Sequence, residues 1–396
     1  MNDTANIDPT VRLGTVEEVE ADFNRTIEIP SLATGTVDVH RTATLETAEN
    51  DDDYSGEALE DLVSGVDINP YINLNLDASA HLESSLEPVD GKYTILSEFA
   101  QGGTAKLSIA RDRNLRRLVA VKSLRMDAEN ISELLNAFVT EAKVTAQLDH
   151  PGIIPIYGLA RDAQDGIHLI MKLVNGRTLR EYLQNITMNY RIRGIGAFDE
   201  DMQLRKRLEI FLRVCDTLLY AHHRGVIHRD LKPENIMIGK YMEVYVMDWG
   251  LSVVIPEDGI PPDVKKISGT PRYFAPEVLR GEPLDFRSDI FTLGLILQEI
   301  VTLQYAVTGN SEKELIRHNL KAQIEPVEHL FKHKIGRDLR AVIRKATAPR
   351  LEDRYQTVDA LAEDIRRYMA GVPVSAKMEN FIDRGLRYVF EHILKF

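Results

Sequence analysis

The run His228-Arg229-Asp230-Leu231-Lys232-Pro233-Glu234-Asn235 is followed, thirteen residues after Asn235, by Asp248-Trp249-Gly250. Two apolar runs, Ile236 to Ile238 and Val244 to Met247, flank Gly239-Lys240-Tyr241 between them, and this pattern predicts a short hairpin. A hairpin returns Asp248 to the side of Asn235, so the fold must bring both polar runs to one site. The chemistry that suits these residue types is phosphoryl transfer. A hydroxyl attacking a nucleotide γ-phosphate needs a carboxylate to orient it and accept its proton, a task for Asp230. Oxygen ligands must also hold Mg2+ against the phosphates. Asn235 and Asp248 suit that task, because Mg2+ takes few protein oxygens and fills its octahedron with phosphate and water.

Further residues fall into register with this pair of runs. They are Lys122 in Val119-Ala120-Val121-Lys122, Glu141 in Phe138-Val139-Thr140-Glu141-Ala142-Lys143, and Ala275-Pro276-Glu277. Downstream lie Asp289 in Arg287-Ser288-Asp289-Ile290-Phe291 and Arg354 in Glu352-Asp353-Arg354-Tyr355. Together they resemble the motifs of eukaryotic-type protein kinases, in an order and spacing that run from about residue 91 to 372. The resemblance is closest to the bacterial proteins called eukaryotic-like Ser/Thr kinases, on Gly225-Val226-Ile227-His228-Arg229-Asp230 and Arg366-Arg367-Tyr368-Met369-Ala370-Gly371-Val372-Pro373-Val374.

That resemblance implies an α+β, bilobal protein-kinase-like fold, with a β-rich small lobe and a helical large lobe, preceded by a disordered acidic N-terminal tail. It implies that Lys122 grips the α- and β-phosphates of ATP and pairs with Glu141. Asp230 acts on the acceptor hydroxyl, and Lys232 steadies the transferring group. Asn235 and Asp248 are the implied Mg2+ ligands. Glu277 is expected to pair with Arg354, and Asp289 to brace the catalytic loop. Met171 matches the gatekeeper and Val174 the hinge of the adenine site, with Leu107, Ala120 and Met237 above and below the base; ordinary core packing explains those last three equally well. Thr270 matches the threonine that contacts the catalytic Asp and Lys in Ser/Thr kinases.

Two departures accompany the match. The phosphate-binding turn reads Ala100-Gln101-Gly102-Gly103-Thr104-Ala105, with alanines at both outer glycine places. A Cβ there obstructs the close approach of backbone amides to phosphate, so weaker nucleotide binding is expected while Ala100, Gly102 and Gly103 still line the site. The position three residues before Gly269, where an activating phosphothreonine often sits, holds Lys266. Regulation without loop phosphorylation is expected, with Arg229 meeting Glu257, Asp258 or Asp263.

Composition and charge set the remaining bounds. A chain of 396 residues with a 44% hydrophobic fraction exceeds one compact core and supports two lobes with extra segments. Cys215 stands alone in a helical, apolar setting and reads as a buried structural thiol. Through Asp90 there are 21 acidic and 3 basic residues, leaving 40 acidic and 45 basic for the rest. Neither part shows the clustered basic stripe of a nucleic-acid binder. The expected domains are the tail at 1–90, the kinase domain at 91–372 (small lobe 91–175, large lobe 176–372) and an amphipathic C-terminal helix at 373–396. That helix is expected to pack on the large lobe or on another copy, since its polar face is not basic enough for a membrane surface. No signal pattern or bilayer-length apolar run is present, so a cytoplasmic location is expected.

The function expected is an ATP- and Mg2+-dependent protein Ser/Thr kinase acting on protein substrates, its own chain included. The alternative is a pseudokinase or scaffold presenting docking sites to partner proteins. Thr10, Thr26 and Thr42 each have an aliphatic residue three positions on, which suits a phosphothreonine-reading partner of the forkhead-associated type.

Overall fold

The computed structural model describes residues 87–89, 91–101, 105–124, 131–163, 166–194, 200–256, 260–262 and 268–377. The expected disordered tail through residue 86, and the expected C-terminal helix beyond 377, lie outside these residues.

The small lobe is a six-stranded sheet ordered β1-β5-β6-β4-β3-β2. Its strands are β1 (Glu87–Pro88), β2 (Tyr93–Gln101), β3 (Ala105–Asp112), β4 (Arg117–Leu124), β5 (Ile156–Arg161) and β6 (Ile167–Lys172). All neighbours are antiparallel except β1, which runs parallel to β5. Strand alternation sorts the side chains of β4. Val119 and Val121 join Val89, Tyr93, Ala110, Ala160 and Ile170 in one apolar cluster. Leu124, on the opposite face with Ala120 and Lys122, packs with Phe138 and Ala142 of helix α1 (Ile131–Gln147). The sheet begins earlier than expected. Residues 87–89, assigned from sequence to the tail, pair with the β5 edge, and Val89 is buried in the sheet's core.

The large lobe holds β7 (Gly176–Thr178), β8 (Val226–Ile227), β9 (Ile236–Gly239), β10 (Val244–Val246), β11 (Val253–Val254) and seven helices among the described residues. These are α2 (Leu179–Arg193), α3 (Glu200–His223), α4 (Pro276–Arg280), α5 (Arg287–Thr302), α6 (Glu312–Leu320), α7 (Arg337–Ala346) and α8 (Val358–Met369). A capping box opens α2, with Thr178 accepting from Glu181 N and Glu181 reaching back. Helix α5 is buried on every side from Ser288 to Thr302, as suits the apolar residues on all its faces, and its buried polar side chains find partners: Asp289, for example, accepts from His228 N and Glu299 from the Tyr273 hydroxyl. Val374 and Ala376 are buried in the large-lobe core, and Asp364 accepts from Ser375 N at 2.6 Å, so residues 373–377 pack on the body.

Glu277 and Arg354 form a buried two-pronged ion pair, with both guanidinium nitrogens 2.7 Å from the carboxylate oxygens. Ser288 Oγ donates to Glu277 Oε1 at 2.8 Å, so one carboxylate joins α4, α5 and the turn before α8. Glu277→Ala, which strands a buried guanidinium, is expected to lower the unfolding free energy by about 3–5 kcal/mol in urea titrations. The paired Glu277→Gln, Arg354→Met variant should recover much of that loss.

Candidate active site

The predicted hairpin forms as β9 and β10, with Val244 opposite Ile238 and Val246 opposite Ile236. Met247 N donates to the Asn235 carbonyl at 2.8 Å, which seats Asp248 beside Asn235. Asp248 adopts a left-handed backbone, φ 62° and ψ 67°, and its side chain is 47% exposed. Asn235 Nδ2 donates to the Asp230 carbonyl at 2.8 Å, which turns the amide oxygen away from that loop.

Asp230 is fixed by donors from two segments. Its Oδ1 accepts from Thr270 N at 2.9 Å and Thr270 Oγ1 at 3.0 Å. Its Oδ2 accepts from Lys232 Nζ at 2.6 Å and Asn235 Nδ2 at 3.2 Å. Lys232 also donates to Thr270 Oγ1 at 2.9 Å, so the threonine, lysine and aspartate anticipated from sequence meet.

Beneath this loop lies Asp289 of α5. Its carboxylate accepts from His228 N at 2.9 Å and Arg229 N at 3.0 Å, and His222 Nε2 approaches at 2.9 Å. Burial alone would raise the Asp289 pKa, but the His222 hydrogen bond and the nearby imidazoles outweigh it and hold the carboxyl below its usual range. Arg229 takes a φ of 69°, a backbone region unfavourable for a side-chain-bearing residue, and the two amide bonds to Asp289 hold it there. The Arg229 side chain has a long 3.4 Å contact to the Leu251 carbonyl. The acidic partners expected for it, Glu257, Asp258 and Asp263, lie outside the described residues, as does Lys266.

Across the cleft, Glu141 stands one helical turn from Phe138 on the face of α1 that meets β4. Lys122 Nζ therefore lies 2.6 and 2.8 Å from the Glu141 oxygens, and 3.5 Å from Asp248 Oδ1. Burial would lower the Lys122 pKa, but Glu141 and Asp248 outweigh it, and the ammonium is held cationic. Gly250 permits the close passage of this loop against α1, since a Cβ there would sit 3.0 Å from Glu141 Oε2. Trp249 is buried, packs against His228 with ring centres 4.5 Å apart and planes tilted by 51°, and donates to the Val246 carbonyl.

Of the expected adenine-site residues, Ala120 is paired with Met171 across β4 and β6, and Leu107 with Lys122 across β3 and β4. Leu107, Met171, Val174 and Met237 are half-buried, and Ala120 is buried. Ala100 is the penultimate residue of β2, with its backbone opposite Leu107, whereas Gly102 and Gly103 lie outside the described residues.

Two arrangements were not anticipated from sequence. Lys172 Nζ donates to Tyr245 Oη at 2.6 Å, linking the end of β6 to β10. Arg180 joins Glu234, Glu299 and Tyr273 through partners 54 to 119 residues apart, a separation over which local patterning carries no signal.

The protein kinase domain profile matches residues 93–386. This chain belongs to the protein kinase family. It is similar to the serine/threonine-protein kinase PknD of Chlamydia caviae, 34% identical over 299 residues that make up 71% of this chain and 32% of that protein. It is also similar to PknD of Protochlamydia amoebophila, 33% identical over 297 residues, 70% of this chain and 30% of that protein. The chain thus spans about a third of the length of the curated relatives it matches. Protein kinases generally use ATP with Mg2+. The residues present fit that pair: an exposed carboxylate at Asp248 stands beside an amide at Asn235 whose nitrogen is already committed. No helix among the described residues is long and apolar enough to cross a membrane.

His228 offers a pH test of the loop beneath this kinase site. Its Nε2 bonds the Met247 carbonyl at 3.0 Å and its Nδ1 faces Asp230 N at 3.3 Å, an arrangement that needs a neutral ring. Burial pushes its pKa below the usual value. The unfolded chain therefore takes up a proton below about pH 6.5 that the folded chain refuses. Stability should be complete above that pH and fall towards pH 5.5, by at most about 1.4 kcal/mol per pH unit from this residue. Urea unfolding at pH 7.5 and 5.5 should show the loss, and His228→Phe should make the slope shallower.

Proposed function

We propose that this chain is an ATP- and Mg2+-dependent protein serine/threonine kinase of the cytoplasm, transferring the γ-phosphate to protein hydroxyls, its own included. The reading is carried by the Asp230 carboxylate, positioned by Thr270, Lys232 and Asn235 across the cleft from the Lys122–Glu141 pair, with Asp248 3.5 Å from Lys122. A scaffold has no need of a base, a buried cation and two oxygen ligands in one constellation. The names of the PknD relatives support serine/threonine specificity.

In this reading Asp230 orients the acceptor hydroxyl and takes its proton as the new oxygen–phosphorus bond forms at the γ-phosphate, while the bond from that phosphorus to the β–γ bridging oxygen breaks and ADP leaves with the oxygen. Lys122, held by Glu141, meets the α- and β-phosphates. Lys232 leaves Thr270 to steady the transferring group. Asn235 and Asp248 would hold Mg2+, which when bound would supply positive charge to offset that of the phosphates. Residues 91–372 are the proposed kinase domain, extended at its N-terminal edge by the β1 pairing. Phosphorylated Thr26 or Thr42 in the acidic segment is the proposed attachment point for a phosphothreonine-reading partner.

Purified protein incubated with labelled ATP and Mg2+ should incorporate phosphate on serine or threonine. Asp230→Asn should reduce the rate by at least about 100-fold, the lower bound of a lost general base, and Lys122→Ala should do likewise. Label persisting undiminished in the Asp230→Asn protein would sink the assignment.

A further inference from the structure

Beside the acceptor position lies a polar network that phosphoryl transfer does not use. Arg180, in the first turn of α2, donates through Nε to Glu234 Oε1 at 2.7 Å and through Nη1 reaches Glu299 Oε2 at 2.8 Å. It also bonds the Tyr273 hydroxyl, which donates to Glu299 Oε1 at 3.0 Å. Glu234 lies between Lys232 and Asn235 in the catalytic loop. Glu234 and Glu299 are thus each occupied by a guanidinium of the chain itself. A substrate arginine or lysine arriving there would have to displace a largely buried side chain from two ion pairs.

Arg272 presents the opposite case. It lies two residues after Thr270, whose hydroxyl touches both Asp230 and Lys232. Its guanidinium stacks 4.0 Å from the centre of the Tyr305 ring, on which Arg180 also lies at 4.5 Å. It donates one hydrogen bond, to the Val307 carbonyl. Among the described residues Arg272 has no carboxylate partner, although a guanidinium carries five donors suited to a two-pronged grip on one. Stacking and the Val307 bond fix its position, so little side-chain freedom is lost when an anion binds.

We propose that Arg272 reads a carboxylate on the protein substrate, close in sequence to the accepting serine or threonine, so that the enzyme selects acidic segments and not basic ones. This rests on the kinase reading given above. An extended substrate advances about 3.3 Å per residue, so a side chain anchored two residues from Thr270 reaches within about four positions of the acceptor. The chain supplies an acceptor of this chemistry itself: residues 1–90 carry 21 acidic against 3 basic residues, with nine threonines among the first 50.

The test uses the full chain and a neutral, single-threonine peptide into which one glutamate, or one lysine, is placed at successive positions on both sides of the threonine. Glutamate at one or two adjacent positions should raise kcat/KM about tenfold over the neutral peptide, the factor expected of one charge-assisted hydrogen bond. Added salt should shrink that preference. In Arg272→Lys part of the preference should remain, and in Arg272→Glu it should pass to lysine at the same positions. A flat glutamate series, a wild-type preference for lysine, or a glutamate preference that survives Arg272→Glu would each overturn the proposal. If no peptide and no residue of the chain accepts phosphate, the kinase reading fails. Fluorescence anisotropy of the labelled peptides then decides this inference separately: tighter binding of the glutamate peptide, lost in Arg272→Glu, supports it, and equal binding of glutamate and neutral peptides overturns it.

Discussion

The buried carboxylate of Asp289 is the constraint on which the catalytic loop depends. Two successive backbone amides, those of His228 and Arg229, have no strand or helix partner, and leaving them unpaired inside the large lobe would carry a large desolvation penalty. Asp289 satisfies both from the first turn of α5. This holds Arg229 in its left-handed backbone state, which turns the chain so that Asp230 emerges toward the cleft. Because α5 is packed on all sides, the anchor cannot drift. The orientation of the Asp230 carboxylate is thereby referred to a helix buried along its whole length.

Charge at the site is arranged as partners in waiting. Lys122 shares its ammonium between Glu141 and Asp248, and Lys232 shares its own between Asp230 and Thr270. Each lysine is held where phosphate oxygens would be received, yet neither is left as a buried cation without a counter-charge, which would be severely destabilising. Each also has one tight link and one looser one, 2.6 Å against 3.5 Å for Lys122, so the looser can give way while the tighter maintains the position.

Much of this arrangement was legible in the sequence because its parts are local or obey a short period. The β9–β10 hairpin followed from two apolar runs around a polar turn, whereas the Lys122–Glu141 pairing came from the resemblance to the kinase motifs. The buried Cys215 followed from its apolar helical setting. What escaped were associations that no period encodes. Arg180 sits on the polar side of an amphipathic helix, where a surface charge is the ordinary expectation, and its acidic partners come from the catalytic loop and from α5. Val89 went unrecognised because it follows a long acidic stretch and its strand is only Glu87–Pro88, too short for an alternating pattern. Val374 is buried where Asp364 accepts from the amides of Ser375 and Ala376.

The Lys172–Tyr245 bond bears on how the cleft can move. Lys172 closes the last strand of the small lobe, while Tyr245 belongs to the large-lobe hairpin that carries Asp248. The neighbouring Val246 donates to the Gly152 carbonyl, just ahead of β5. The lobes are therefore pinned along a common line, and the motion left to them is rotation about it. Such a joint, with Lys172 and Tyr245 at the pivot, turns a small angular change there into a larger excursion at the mouth of the cleft.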